Sequence, residues 1–342
     1  MISLTVVMPN YNRPKMILPV LDSIVNQPLR DVKLDILIID DCSPNPIEPK
    51  DLEKYGDRVK VHRLEKNSGV VHARNVGIAM ATGDLILLAD DDDLFIPNAL
   101  QKAVDLITAL DDYDQYRGYG FPRTDAIDLP LPDFCFANSD TFVFAREFYS
   151  IYGGNLTAII NKKFVDPKKP LFLEENSIAS IGGESLWDYG AAIQGTPYWK
   201  FAIVKSNCDQ TRDSLTNPIN TIRKAKAFVS LHQAELDMLE KTGFDKKMPR
   251  YYTLKIKGLY TYLLLDGRRE EALAVLRKYQ LHPLTKIAFY AIGGLSQSMI
   301  YRCLRLYRKI QNSPPVRSIG KLRAKRAAAK LFGSQTIKSA QK

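Results

Sequence analysis

Leu85-Ile86-Leu87-Leu88-Ala89-Asp90-Asp91-Asp92-Asp93 is the stretch on which the fold turns. An apolar run that stops at a carboxylate cluster reads as a buried strand ending at an open edge. Four like charges packed this closely repel one another unless something cationic meets them. A hard divalent cation on oxygen ligands answers that need, and magnesium in particular also carries substrate phosphates. The bland alternative is a solvated acidic turn ahead of a helix that begins after Pro97.

Working outward, strand and helix alternate through the first hundred residues. Strands are expected over 4–8, 34–39, 59–64 and 85–89. Helices are expected over 14–26, 70–81 and 97–110, the last with Pro near its start. Such alternation with short links predicts a parallel sheet covered by helices, whose ligands sit beyond the carboxyl ends of the strands. Residues 111–133 are dense in Tyr, Gly and Pro and read as loop. Strands are expected again at 141–145, 156–161 and 201–204, with a helix at 185–193. After about Asn217 the pattern becomes helical, over 221–239, 252–265, 270–279 and 286–310. A hairpin is expected at Asp266-Gly267-Arg268.

The 342 residues, 45% hydrophobic and 25% charged, suit a globular chain of roughly two domains. Four scattered cysteines, Cys42, Cys135, Cys208 and Cys303, have no metal-binding spacing. They predict free thiols and a reducing compartment. No signal peptide is expected at the N-terminus, and no run of ~18 apolar residues predicts a membrane span. The net charge of +10 is unevenly placed. Residues 301–342 hold twelve Lys or Arg and no acid, leaving 36 basic and 38 acidic residues elsewhere. Such a tail seeks anionic lipid, nucleic acid or an acidic partner.

Asp40-Asp41 ends a second strand, so two carboxylate clusters are expected on one sheet edge. Pro9-Asn10-Tyr11-Asn12-Arg13, after the first strand, opens on the same edge. An aromatic face, an acid to accept from a base N–H and a metal for the diphosphate together make a nucleotide site. Taken singly, Asp40-Asp41-Cys42-Ser43-Pro44 is a turn and Tyr11 a packed loop aromatic. Their joint occurrence at consecutive strand ends favours the site.

Five ordered blocks carry a family resemblance: 7–13, Ile38 to Ser43, Asn67-Ser68-Gly69 with Ala73 to Gly77, Ala81 to Asp84, and the aspartate run with Pro97. In order and spacing they resemble the nucleotide-binding half of family 2 inverting glycosyltransferases. The similarity is close over residues 2–110 and loose over 135–216. It implies an α/β fold of the GT-A type, a mostly parallel central sheet flanked by helices, followed here by a C-terminal helical region. The implied division is a transferase domain over 1–216, with a nucleotide-binding half (1–110) and an acceptor-side half (111–216). A helical region over 217–312 and a flexible basic tail over 313–342 follow.

The resemblance also implies roles. Asp41 would accept from a uracil ring framed by Pro9, Tyr11 and Asn12. Arg74 would lie near the nucleotide, Asp90 or Asp91 toward the ribose, and Asp92 on a divalent metal, Mg or Mn. The family's base falls on Gly182-Gly183-Glu184-Ser185-Leu186-Trp187-Asp188, giving Glu184 first and Asp188 second, with Ser185 where the usual pair has an acid. Trp187 would stack on an acceptor sugar or sit in the core. The family's diphosphate-closing loop falls on 208–215, where no His is present. Arg212 is the candidate there for the phosphate, and Asp209 or Asp213 for the metal shell. His62, His72, His232 and His282 have no ligand spacing and receive no role.

The implied reaction is metal-assisted transfer of a sugar from a nucleotide diphosphate, most naturally a UDP-sugar, to a saccharide or lipid-linked saccharide in bacterial surface polysaccharide or lipopolysaccharide synthesis. Residues 299–310 alternate apolar and basic residues as a helix that could rest on an anionic membrane. The expected place is therefore the cytoplasmic face of the plasma membrane, with no specific nucleic-acid partner. A nucleotidyltransferase would want a glycine-rich loop that 9–13 lacks. A catalytically idle carbohydrate- or nucleotide-binding scaffold is the remaining alternative.

Overall fold

A computed structural model of the chain describes residues 1–122, 134–137, 156–172, 196–199, 201–206 and 224–311. In the N-terminal part the strands are β1 (Ile2–Asn10), β2 (Val32–Asp40), β3 (Val59–Arg63), β4 (Leu85–Leu88) and β5 (Asp93–Phe95). The helices among them are α1 (Ile17–Val25), α2 (Pro49–Leu52), α3 (Val70–Met80) and α4 (Ala99–Thr108). Then come β6 (Gly118–Pro122), β7 (Phe134–Ala137), β8 (Leu156–Asn161), β9 (Thr196–Trp199) and β10 (Val204–Ser206). The described strands form an eight-stranded sheet in the order β3-β2-β1-β4-β8-β6-β9-β7, and β5 pairs antiparallel with β10. The first four of that order run parallel and β8 runs against β4, so the sheet is mostly parallel, as expected.

The strands are apolar almost throughout because both faces are covered. Leu4, Val6 and Met8 of β1, Ile36 and Ile38 of β2, and Leu85 and Leu87 of β4 pack with Ile17, Leu21 and Ile24 of α1 and Leu100, Ala103 and Ile107 of α4. The opposite alternation sends Val7 and Ile86 against Val71 and Ile78 of α3, and Leu37 and Ile39 against Ala73 of α3. Gly77 lets α3 lie this close: a Cβ there would sit 2.3 Å from Val7 Cγ1 and 3.0 Å from Ile39 Cγ1.

Three expectations need correction. Residues 111–133 are not all loop, since 118–122 form β6. Tyr119 and Phe121 are fully buried on one face, while Gly118 and Gly120, alternating with them, hid the pattern; Gly120 lies against the Tyr198 ring. The strand expected at 201–204 starts at Val204, and β9 precedes it. The single helix expected over 286–310 is two, broken at Gly294-Leu295-Ser296. The strand expected at 141–145 and the helix at 185–193 lie outside the described residues.

The C-terminal helices are α5 (Ala225–Thr242), α6 (Phe244–Lys247), α7 (Pro249–Leu265), α8 (Arg269–Lys278), α9 (Pro283–Gly293) and α10 (Gln297–Gln311). They have a core of their own, including Leu236, Ile256, Leu259, Leu263 and Leu276. The α7–α8 hairpin turns at Gly267, whose φ of +80° suits glycine. Inside this unit Glu235 is 1% exposed, with Oε2 2.6 Å from Lys255 Nζ and 3.2 Å from His232 Nδ1. Burial would raise the Glu235 pKa, but Lys255 and His232 outweigh it and hold the carboxylate well below its ordinary range. Burial pushes His232 below its ordinary 6.5, against the pull of Glu235. His232 is thus harder to protonate in the folded chain than in the unfolded one.

Two outcomes follow. In Gly77→Ala a gain of about 1 kcal/mol in helix propensity competes with overpacking of about 1–3 kcal/mol. A methyl 2.3 Å from a rigid core valine decides for overpacking, so chemical denaturation should show net destabilisation. For pH, the unfolded chain takes up the His232 proton that the native chain refuses, so stability falls as pH drops below about 6.5, and falls further near about 4.5 as unfolded Glu235 protonates. The melting temperature should drop between about pH 7 and about pH 5, less steeply in His232→Gln; an unchanged slope in the variant would refute the assignment.

Candidate functional site

The parallel register brings the ends of β1, β2 and β4 side by side, with Asn10 opposite Asp40 and Val7 between Leu37 and Leu88. The chain leaves each strand into a polar segment, so 9–13, 40–43 and 90–93 meet on one edge. Asn12 and Cys42, in these turns, have φ of +56° and +59°. Left-handed backbone in a non-glycine residue is costly and clusters at functional sites. The Asn12 N–H donates to Ser43 Oγ (2.8 Å) and its side-chain oxygen accepts from Asn45 (3.0 Å), which ties the first two turns together.

Asp91 is the most constrained acid. Its Oδ1 is 2.5 Å from Arg13 Nη1, and its Oδ2 accepts from Asn10 Nδ2 at 2.8 Å. Burial raises its pKa to about 7; Arg13 and Asn10 oppose this, while Asp92 and Asp90 add to it. Arg13 also reaches Asp92 Oδ2 through Nη2 at 2.9 Å. Arg74, on α3, reaches Asp90 Oδ1 at 2.6 Å. Asp90 and Asp92 keep partly exposed side chains, at 41% and 18%. Asp93 is buried as the first residue of β5.

Just beyond β2, Asp41 is buried, and its two oxygens accept from the N–H groups of Ser68 (2.7 Å) and Gly69 (2.8 Å) ahead of α3. Burial raises its pKa against those two bonds. Each carboxylate oxygen retains acceptor capacity for a ligand N–H. Asp40 is spent on structure: it pairs with Arg63 and accepts from the Ser43 N–H at 3.0 Å. Pro9 is buried at the end of β1, and Tyr11 is 42% exposed, free to meet a flat ligand.

The structure therefore brings together Pro9, Tyr11, Asn12, Asp41, Arg74, Asp90, Asp91 and Asp92. Glu184, Trp187, Asp188, Asp209, Arg212 and Asp213 lie outside the described residues. Sequence reasoning missed Arg13 and Asn10 as partners of the aspartates. The signal was available, since crowded carboxylates need a cation and Arg13 ends the loop on the same edge. It also missed Lys224, half-buried at the head of α5, whose pKa burial lowers while the charge of Asp41 opposes. Nothing in its surrounding sequence marks it.

Oxygen-only donors suit a hard cation. Among the described residues no three His, Cys, Asp or Glu side chains converge as a preformed metal cage. A partly open carboxylate such as Asp92 fits an ion such as Mg²⁺ that takes its remaining ligands from phosphate and water.

Residues 5–132 match the family model described as Glycosyl transferase family 2. Over that stretch the chain has the pattern of a family 2 glycosyltransferase domain. YwdF of Bacillus subtilis, an uncharacterized glycosyltransferase, is 38% identical over 109 residues, which span 32% of this chain and 39% of that protein. This chain thus covers about two fifths of that relative's length. WfgD of Escherichia coli, named a UDP-Glc:alpha-D-GlcNAc-diphosphoundecaprenol beta-1,3-glucosyltransferase, is 24% identical over 64% of this chain and 88% of its own. In fold the chain is similar to the mannosyltransferase PcManGT of Pyrobaculum calidifontis, solved with GDP-Man and Mn²⁺. The TM-score is 0.52 and the identity 17%, over 96% of this chain and 86% of that one. The GT-A type of fold expected for the family 2 domain is the one observed.

The Arg13–Asp91 pair yields a direct test of the site's electrostatics. Removing one partner of a buried pair costs about 3–5 kcal/mol, because the other charge is stranded. Arg13 is 18% exposed, which places Arg13→Gln toward the lower end. Arg13→Gln/Asp91→Asn should recover part of that loss in a denaturation cycle. A double variant as unstable as the sum of the two singles would show that the pair is not coupled.

Proposed function

We propose that this protein is an inverting glycosyltransferase that moves a sugar from a nucleotide diphosphate, a UDP-sugar first of all, to a saccharide hydroxyl on a lipid-linked acceptor. The observation that carries this reading is the convergence of Tyr11, Asp41, Arg74 and Asp90–Asp92 on one edge of a family 2 domain. Tyr11 offers its ring to the base, and Asp41 accepts a base N–H while the Ser68 and Gly69 amides hold its carboxylate in place. Asp90, fixed by Arg74, faces the ribose with Asp91 behind it, and Asp92 takes the metal. A divalent ion bound there would neutralise charge developing on the leaving diphosphate. Arg13, on Asp91 and Asp92, keeps two aspartates from repelling each other while no donor is present.

In the transfer the acceptor oxygen bonds to the anomeric carbon as the bond to the diphosphate breaks, inverting that carbon. The acceptor proton passes to a carboxylate; Glu184 is assigned this role, with Asp188 second, and Arg212 is assigned to the diphosphate. The named activity of WfgD supports both the UDP donor and the lipid-linked acceptor, and with them a role in bacterial surface polysaccharide or lipopolysaccharide synthesis. The titled complex of PcManGT supports Mn²⁺ as one usable ion. No described helix is long and apolar enough to cross a membrane. We place the enzyme in the cytoplasm, peripheral at the inner face of the plasma membrane, held by its basic C-terminal region.

The test is nucleotide release from UDP-, GDP- and dTDP-sugars with Mn²⁺, Mg²⁺ or EDTA. One donor should be turned over with metal and not with EDTA. Asp92→Ala should lose on the order of 10²–10³-fold, the usual scale for removing a group that stabilises developing charge. Absence of both release and nucleotide binding would leave a scaffold using the fold alone.

A further inference from the structure

Helix α9 (Pro283–Gly293) is apolar on two opposite sides, and only one is covered. On the covered side Phe289 stacks on Tyr260 at 4.5 Å, the Tyr260 hydroxyl donates to the Phe289 carbonyl, and Ile292 packs on the helical core. Gly293 closes this contact, for a Cβ there would lie 2.7 Å from the Tyr260 oxygen. On the other side Leu284 is 70% exposed and Ile287 66%, with Ala288 and Ala291 exposed beside them. These four stand at i, i+3, i+4 and i+7, one continuous stripe, and Tyr290, half exposed, flanks it. Helix α10 exposes Met299, Cys303 and Leu306 at the same spacing with the basic Arg302 among them, while Ile300 is buried. A helix apolar all round is normally buried all round, and a contiguous exposed apolar patch marks an interaction surface.

Charge selects the occupant. From Ala272 to Lys342 the chain has fifteen Lys or Arg and no Asp or Glu. A second copy would bring the same unrelieved positive charge to the contact. An anionic bilayer offers both what the stripe lacks, an apolar phase, and what the basic residues lack, a counter-charge. We infer that the α9–α10 face is a membrane-docking surface, with Leu284, Ile287 and Met299 entering the interface of an anionic leaflet and the basic residues meeting its headgroups. This deepens the membrane part of the proposed function and rests on it, while donor turnover is read in a separate assay.

The experiment is flotation of the full chain with phosphatidylcholine vesicles, with or without phosphatidylglycerol, at low and high salt. The probes are wild type, Leu284→Gln/Ile287→Gln, and Tyr290→Trp as a fluorescent reporter. The wild type should float with the anionic vesicles and less so in salt. The double variant, with its melting temperature and nucleotide release intact, should lose about tenfold or more in partitioning, and the added indole emission of Tyr290→Trp should shift to the blue on binding. Three results would overturn the inference: a folded double variant that floats like wild type, a wild type that floats with neither vesicle, or light scattering showing a dimer that the double substitution dissolves. Loss of nucleotide release with flotation retained would count against the transferase reading alone.

Discussion

A buried carboxylate beside two others must be given a cation or a proton, and Asp91 imposes that condition on the whole sheet edge. Burial and its neighbours lift its pKa to about 7 even with a guanidinium at 2.5 Å. The cation comes from the turn after β1, so the turn after β1 must fold back over the end of β4. That geometry carries Tyr11 outward and obliges Asn12 to adopt a left-handed backbone, which Ser43 and Asn45 then hold. The aromatic and the amides of that turn are placed, in part, by the need to balance one charge.

The same logic separates the two acids ending β2. Asp40 and Asp41 are adjacent and both buried, and the sequence offers no local reason to tell them apart. The strand does: neighbouring side chains point to opposite faces. Asp40 turns to Arg63 on the edge strand and becomes structural. Asp41 turns to the amides preceding α3, and both its oxygens keep room for another donor.

The strand–helix alternation and the edge at which its acids meet could be read from residue order, because strands buried on both faces leave long apolar runs and parallel strands must end together. Hence the two carboxylate clusters, Asp40-Asp41 and Asp90 to Asp93, were legible from residue order, whereas singling out Asp41 and Arg74 rested on the family resemblance. What escaped was set by contacts distant in sequence. Arg13 as a counter-ion depends on β1 lying beside β4, some eighty residues later. Strand β6 was masked by glycines that the packing requires: Gly120 lies flat against the Tyr198 ring so that Tyr119 and Phe121 can point inward. The break between α9 and α10 follows Gly293-Gly294, and what requires a glycine at 293 is the Tyr260 hydroxyl on another helix, which leaves no room for a Cβ. Periodicity reports which face of an element is buried, not which partner buries it.

The distribution of charge follows a division of labour. The edge where β1, β2 and β4 end is a mesh of paired opposite charges, Arg13 with Asp91 and Asp92, Arg74 with Asp90, Arg63 with Asp40, and residues 1–300 together are nearly neutral. The excess positive charge is confined to the last stretch of the chain, with the exposed apolar stripe beside it. Free charges more than about 8–10 Å apart are screened at physiological salt, whereas partly buried pairs at hydrogen-bond distance are not. A strong attraction to an anionic surface can therefore reside in the same chain as a finely balanced acidic site without shifting that balance. If the net charge were spread evenly, the field available to the proposed membrane contact would also act on the aspartates proposed to receive a metal and a diphosphate.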